Sequence, residues 1–531
     1  MTVIKKLKKS DFLMCLKYIF SSILAILAFI PTKSILLVIV ALLEIGIIAG
    51  ITNNIAKKYI RLANIFNTVA LLLFNIQMLI LFFGANYLTL VMLLNVGSIN
   101  ALMGNFLKYA IGIVGLIIFT FLPIKYIPLK KISTSGILSL FLVAELVLTM
   151  IFTSMFSPMY AYYRLAHQAK DYIEMNQEVT ANKEDFYKED VKGYIEKPMG
   201  IVENPNVVVI FTEGLSQGII DDSRNIMPNI KEYQSKSLTF DNYYNHTFAT
   251  FSGIVGQLYS GYNQEIGDKN TLISLQSIFK DKGYYTSIIN TEPGNKLFTQ
   301  YLSDMNFDDV LGEPSTNYRG SDQTMSDGEA YEFLFNTMEE QSKSEKPFFT
   351  SIYTYGTHMS LDSPDNKFGD GTNPMLNKFY DVDLQFANFI EKFENSPMFE
   401  NTILVFTTDH GTFMDSAYKE TYPDIPRSNP DLDKIPLFIY YKGVQPQRID
   451  VGGRNSLGLA PTVLDYLDIT SENYFLGTSL FAPKSESTEL DTAFYDVVYF
   501  LSTDNGEIRG YDEQNSQTIL RKIQAYLSVK N

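Results

Sequence analysis

The sequence predicts a two-part architecture. An N-terminal bundle of about five transmembrane α-helices precedes an α/β domain, a mostly parallel sheet with helices on both faces. Three observations predict it. Charge is partitioned: residues 1–160 carry 13 Lys/Arg and 3 Asp/Glu, and the rest of the chain carries 30 and 55. Apolar stretches of bilayer-spanning length, about 20 residues, recur only in the first part. Beyond them, short apolar runs alternate with helical patterns, and several of the runs stop at a carboxylate or a histidine.

The long apolar stretches cover roughly 12–30, 34–53, 65–84, 108–126 and 135–156. Lys17 lies near enough to the end of the first for its ammonium to reach the interface. That stretch is too long, and has too many apolar successors, to be a cleaved signal peptide. Basic residues fall in alternate loops: Lys5, Lys6, Lys8 and Lys9, then Lys57, Lys58 and Arg61, then Lys125, Lys130 and Lys131. The other loops hold only Lys33 and Lys108. By the positive-inside rule the N-terminus is cytoplasmic and the fifth span exits outward. A multi-pass protein of the cell membrane with an extracellular acidic part is therefore expected. Residues 62–107 carry no charge, and a sixth crossing at 87–103 would invert this. The basic loops favour five spans, with 87–103 interfacial or re-entrant. Glu44 and Glu145 lie mid-span, where carboxyls are costly. They fit a neutral, hydrogen-bonded pair between helices, or a guide for a lipid headgroup.

Composition narrows the chemistry of the acidic part. Its balance argues against nucleic acid, which needs basic surface. An anionic phosphate has to be met through a local cation such as a bound metal. The only cysteine, Cys15, sits in the first apolar stretch. That excludes an intrachain disulfide, a Cys-rich zinc cluster and a cysteine nucleophile outside the membrane. Only four histidines are present.

The expected layout is a transmembrane domain over 1–156, a Tyr-rich juxtamembrane linker over 157–202 with His167 on its surface, an α/β domain over 203–485, and a tail, 486–531, packed on that domain. Buried strands are expected at Asn206–Phe211, Tyr284–Asn290, Phe348–Thr354, 403–408 and Ile435–Tyr441, each a short apolar or β-branched run. Helices are expected at Leu272–Lys282 with Thr271 as cap, at 376–394, and at 460–468 with Pro461 at its start. Ligands of open α/β sheets bind beyond the carboxyl ends of the strands.

Four such ends carry chemistry. The run 403–408 enters Asp409-His410-Gly411, an acid and an imidazole side by side, which is a good ligand pair for a divalent cation. The strand 206–211 ends in Thr212-Glu213-Gly214. The strand 348–354 ends in Tyr355-Gly356-Thr357-His358, where an imidazole could touch a phosphoryl oxygen or move a proton. A helix begins near Thr250 within Tyr-Asn-His-Thr-Phe-Ala-Thr-Phe-Ser-Gly-Ile-Val-Gly. A hydroxyl there meets free backbone N–H groups that favour anions, although Thr250 or Thr247 would serve equally as an ordinary N-cap.

Together these motifs resemble the alkaline phosphatase/sulfatase superfamily. More closely, the layout is similar to the membrane-anchored branch of lipoteichoic acid synthases and phosphoglycerol transferases. The resemblance implies that Glu213, Thr250, Asp409 and His410 hold one divalent metal ion. Mixed oxygen and nitrogen ligands favour manganese or zinc over magnesium, with manganese first. It implies that Thr250 is the nucleophile and that His358 binds substrate. Phosphatidylglycerol is the implied donor, and an envelope glycan or a growing teichoic acid chain the implied acceptor. Departures accompany it. Near Thr250 there is no Cys/Ser-x-Pro-x-Arg motif of the formylglycine sulfatases. The chain cannot form the disulfides usual in the related phosphoethanolamine transferases. It has no tryptophan for a glycerol pocket. The matching stretch is Asn290–Phe298, where Lys296 stands in for the family's arginine. Phosphoethanolamine transfer and phosphodiester hydrolysis are the alternative activities of the same fold.

Overall fold

The computed structural model describes residues 9–84, 86–94, 106–122, 134–151, 157–175, 179, 181–198, 200–263, 269–315, 323–359, 361–425, 427, 429, 432–483, 492–495, 499–503, 507–510 and 513–530. The chain divides into two compact units: Met1–Gly97, Asn105–Asp171 and Met414–Pro423 form the first, and the remainder forms the second.

The first unit is helical. Its helices Lys9–Leu27, Ile35–Ala56, Ile60–Gly84, Phe106–Thr120 and Thr134–Ile151 lie on the five apolar stretches. Among the described residues, two are long and apolar enough to cross a membrane, Ile35–Ala56 and Ile60–Gly84. That is a smaller number than the five expected. Residues 123–133 and 152–156, at the ends of the last two stretches, lie outside the described residues, as does most of 87–103. Small residues set the packing: a Cβ on Gly46 would stand 2.5 Å from the Phe141 ring, so the helices 35–56 and 134–151 approach closely there.

The helix Pro158–Met175 begins inside this unit. Ala161 joins the apolar cluster of Leu37, Leu71 and Phe74, and the Tyr162 hydroxyl donates to Leu73 O at 2.9 Å. Ser157 draws the two mid-span carboxyls together. Its hydroxyl donates to Glu44 Oε1 and lies 3.1 Å from Glu145 Oε1, and Met159 N–H donates to Glu44 Oε1 at 3.1 Å.

The second unit is built on an eight-stranded sheet. Its strands are β1 (Asn206–Thr212), β2 (Leu238–Asp241), β3 (Tyr285–Ile289), β4 (Asp309–Leu311), β5 (Phe348–Tyr353), β6 (Thr402–Thr408), β7 (Phe438–Tyr440) and β8 (Gln447–Asp450), in the order β4-β3-β5-β1-β6-β7-β2-β8. β1, β3, β4, β5 and β6 are mutually parallel, whereas β7 runs antiparallel to both β6 and β2. β1 and β6 are buried along their whole length, which is why both read as unbroken apolar or β-branched runs.

Helix starts follow local capping. Ser274, three residues past the expected Thr271, caps Leu275–Asp281 in a capping box with Ser277. Asn373 caps Pro374–Glu394, and Pro374 fills the first helical position. Phe386 and Phe389 of that helix bury against the sheet side chains, with Phe386 edge-on to Phe406 at 5.2 Å. The register pairs Thr212 with Thr408 and Phe211 with Tyr353. The central strand and its two parallel neighbours therefore end at one level, and Glu213, Thr354 and Asp409 are the residues that follow.

Candidate active site

Glu213, Asp409 and His410 converge at that edge. One ligand atom from each lies within 4.8 Å of the others, and all three side chains are buried. His410 Nε2 is 3.4 Å from Glu213 Oε1 and 3.4 Å from Asp409 Oδ2. His410 Nδ1 is 2.7 Å from Gly411 O. A carbonyl only accepts, so Nδ1 carries a hydrogen, and Nε2 is the ring atom that faces the carboxylates.

The backbone holds Asp409 by one oxygen. Oδ1 accepts from Gly214 N–H at 2.8 Å and from His410 N–H at 2.7 Å. Oδ2 is buried and accepts nothing. A buried carboxylate oxygen without a donor is costly. Two carboxylates and an imidazole Nε2 facing one point fit a cation that displaces the Nε2 proton.

Thr250 completes the group. It opens the helix Thr250–Tyr259, and no side chain caps that helix. Its hydroxyl donates instead to Glu213 Oε2 at 2.9 Å. This decides between the two readings of the hydroxyl: Thr250 faces the acidic cluster, and Thr247 is buried without capping the helix. The preceding residue, Ala249, has φ 82° and ψ 139°. Few L-residues adopt that backbone, and it costs about 1–3 kcal/mol. It turns the chain so that the helix starts with the hydroxyl over Glu213.

The helix also needs Gly253. A Cβ there would stand 2.2 Å from Asp409 O. Gln257, one turn on, donates to Thr408 O at 2.8 Å.

Electrostatics follow from three ionisable groups buried side by side. Burial pushes the Asp409 carboxyl up and the like charge of Glu213 adds to it, bringing it to about 7. Burial opposes protonation of His410, but the Asp409 and Glu213 charges outweigh it and raise the imidazole to about 9. Burial pushes Glu213 up as well. The hydrogen bond and charge of His410 prevail and hold it at about 2. Without a cation the cluster thus keeps its positive charge on His410.

His358 lies on the turn that follows β5 and is partly buried. Its ring stacks on Tyr355 with centroids 4.8 Å apart, and Lys378 Nζ donates to its carbonyl at 3.1 Å. Burial lowers its pKa although the Glu213 charge opposes this, so the imidazole is neutral at neutral pH. Nδ1 lies 3.2 Å from Met359 O and carries the hydrogen, which leaves Nε2 bare.

Lys296 is exposed on the first turn of Lys296–Ser303, and among the described residues no hydrogen bond or ion pair joins it to the cluster. His167 is exposed on its helix. His246 is buried, with Nδ1 2.6 Å from Ser456 Oγ, and stands outside the cluster.

Sequence reasoning missed the threonines that frame Glu213. Its N–H donates to Thr354 Oγ1 at 3.3 Å, and Thr357 Oγ1 donates to its carbonyl. Their only signal was position, at the end of a strand beside β1. Gly253 was visible as a glycine one turn after Thr250, but its reason lies in a contact 156 residues away in sequence.

Residues 205–469 match the family model described as Sulfatase. The chain carries a sulfatase-family domain. Among curated relatives, the lipoteichoic acid synthase-like YvgJ of Bacillus subtilis is 22% identical over 352 residues, 57% of this chain and 55% of that protein. Phosphoglycerol transferase I of Citrobacter koseri is 25% identical over 328 residues, 52% of this chain and 39% of that protein. The matched regions thus span about half the length of these relatives or less. Two solved structures share the fold. An alkaline phosphatase superfamily protein from Vibrio parahaemolyticus has a TM-score of 0.53 at 17% identity, covering 68% of this chain and 94% of that one. The integral membrane lipooligosaccharide phosphoethanolamine transferase A (EptA) from Neisseria meningitidis also has a TM-score of 0.53, at 14% identity, covering 90% of this chain and 98% of that one.

Proposed function

We propose that the protein transfers glycerol phosphate from phosphatidylglycerol to a cell-envelope acceptor, a glycan or a polyglycerol phosphate chain, through a covalent phospho-threonine. The observation that carries this reading is the Thr250 hydroxyl held at 2.9 Å by Glu213, inside a buried cluster with Asp409 and His410. The names of the curated relatives support the glycerol phosphate donor.

Glu213, Asp409, His410 and the Thr250 oxygen would hold one divalent ion, manganese ahead of zinc or magnesium. When bound, the ion lowers the pKa of the Thr250 hydroxyl and offsets the phosphodiester charge. Glu213 Oε2 orients the hydroxyl by accepting its hydrogen bond. The Thr250 oxygen forms a bond to phosphorus as the bond to the diacylglycerol oxygen breaks, and the proton lost by Thr250 ends on that leaving oxygen. The first-turn N–H groups beyond Thr250 lack intrahelical partners and face the phosphoryl oxygens. In the second half the acceptor hydroxyl attacks phosphorus and the Thr250 bond breaks. A neutral His358 with a bare Nε2 takes the proton of that hydroxyl, and that proton is returned to the freed Thr250 oxygen. In this reading residues 1–156 form five spans, 157–202 the linker, 203–485 the extracellular catalytic domain and 486–531 a tail packed on it. The donor headgroup meets the pocket at the outer leaflet. Lys296 then contacts the headgroup.

The test is incubation with headgroup-labelled phosphatidylglycerol. Label is expected on the protein, with diacylglycerol released, and Thr250→Ala abolishes both. Transfer retained in Thr250→Ala would move the nucleophile, with Thr247 the first suspect. Chelation stops the reaction and one ion type restores it; indifference to chelator removes the metal from the scheme. Mass spectrometry of the adduct separates glycerol phosphate from phosphoethanolamine. Free glycerol phosphate released without acceptor identifies a hydrolase.

A further inference from the structure

Asp327 opens the helix Asp327–Gln341 but does not cap it. Ser326 and Glu329 do so, in a reciprocal capping box. The Asp327 carboxylate, 2% exposed, points elsewhere. Oδ1 accepts from Gly356 N–H at 2.9 Å, and the carboxylate also takes the Tyr355 N–H. The approach is so close that a Cβ on Gly356 would stand 2.3 Å from Oδ2.

These two amides start the turn after β5, and the next two residues belong to the site. Thr357 holds the Glu213 carbonyl. His358 N–H donates back to Tyr355 O at 3.0 Å, and its ring lies on the Tyr355 ring. One carboxylate therefore anchors the base of a four-residue turn whose far end carries a reacting imidazole.

We propose that Asp327 is a positioning residue for the transfer reaction: its carboxylate fixes the Tyr355–His358 turn and so sets where His358 and Thr357 stand. This rests on the reaction proposed above. Asp327 touches neither substrate nor the four ligand residues. The groups that face it are Asp381 from the helix Pro374–Glu394, Asp365 from the loop before that helix, and Tyr331 from its own helix. Burial, reinforced by Asp381, raises the Asp327 carboxyl to about 7. Above that pH the ionised carboxylate accepts from both amides of the turn. Below it one oxygen carries a proton and the grip on two amides weakens, so turnover falls on the acid side of neutrality.

The test compares Asp327→Asn and Asp327→Ala with wild type in the full-length protein, in detergent with Mn²⁺. Backbone hydrogen exchange needs no substrate. At pH 7.5 the Tyr355 and Gly356 amides of Asp327→Asn should exchange about tenfold faster or more, with protection of β1 and β6 kept. Unchanged protection overturns the proposal whichever lipid is the donor. In the transfer assay kcat should fall about 10- to 100-fold, the usual effect of losing an orienting partner. KM should move by less than about threefold, because substrate contacts remain. The residual rate of Asp327→Asn should be flat between pH 6 and 8, the wild-type acid limb having gone with the carboxylate. A wild-type kcat and pH profile in Asp327→Asn also overturns the proposal. The isosteric Asn variant decides the matter if the Ala variant does not fold. A wild-type protein that takes nothing from phosphatidylglycerol refutes the donor assignment, while the exchange measurement still tests the role of Asp327.

Discussion

Replacing Gly253 by alanine adds one methyl group at the point where the nucleophile helix rests on the metal-ligand turn. That methyl would lie 2.2 Å from Asp409 O and 2.8 Å from Asp409 C, and ordinary contact begins at 3.4 Å. Both neighbours are backbone atoms that follow directly from β6, buried in the sheet. The helix therefore has to retreat by about 1.2 Å to reach ordinary contact, carrying the Thr250 oxygen with it. A misplacement of about 1 Å at a reacting group costs about 100-fold in rate, equivalent to about 2.7 kcal/mol of barrier. Overpacking costs about 1–3 kcal/mol of stability, and the better helix propensity of alanine returns about 1 kcal/mol. The protein should stay folded and lose transfer. The assay is label transfer from phosphatidylglycerol at saturating Mn²⁺, with a thermal melt and bound-metal content measured on the same sample. A rate within threefold of wild type would show that the helix start and Asp409 are not rigidly coupled, and the reasoning would fail.

Ala249→Gly removes the penalty of φ 82°. It should raise stability by about 1 kcal/mol net of the extra unfolded-state entropy, and lower kcat several-fold through a looser Thr250; an unchanged or lower melting temperature contradicts the strain. Metal entry needs His410 neutral, yet in the metal-free cluster His410 is protonated up to about pH 9. Apparent Mn²⁺ affinity should therefore rise about tenfold per pH unit from 7 to 9 and then level off, with one proton released per ion. Titration calorimetry in two buffers counts that proton, and a count of zero is incompatible with the cluster described. Phe406→Ala opens a gap beside Phe438, whose ring stacks on it at 4.8 Å. It should cost about 3–5 kcal/mol, read by chemical denaturation of the metal-loaded protein; a loss below 1 kcal/mol would mean that this part of the sheet repacks.

The parallel centre of the sheet was legible because a strand buried on both faces has to be mostly apolar or β-branched, and β1, β5 and β6 are. For the same reason the acids and histidine that interrupt those runs stood out. The reversed strand β7 was not legible. An apolar run such as Phe438–Tyr440 carries no mark of direction, and its partner β2 is only four residues long. The cap of Leu275–Asp281 was misplaced because Thr271 and Ser274 offer the same chemistry, and only the packing of Leu275 and Ile278 chooses between them. The count of spans was read from the length of the apolar stretches and the basic loops between them, and among the described residues two of the helices on those stretches are long and apolar enough to cross. Asp327 escaped notice because an acid at the first position of a helix is ordinary. Its separate use, holding the turn after β5, depends on a strand whose neighbours only the fold reveals.

Glu213 and Asp409 follow adjacent parallel strands paired residue for residue. The ladder behaves as a ruler: adjacent strands stand about 4.8 Å apart, and seven successive pairs hold that interval behind the two acids. The rigidity of the scaffold thus passes to the two acids, whose backbones cannot drift apart without disturbing the sheet.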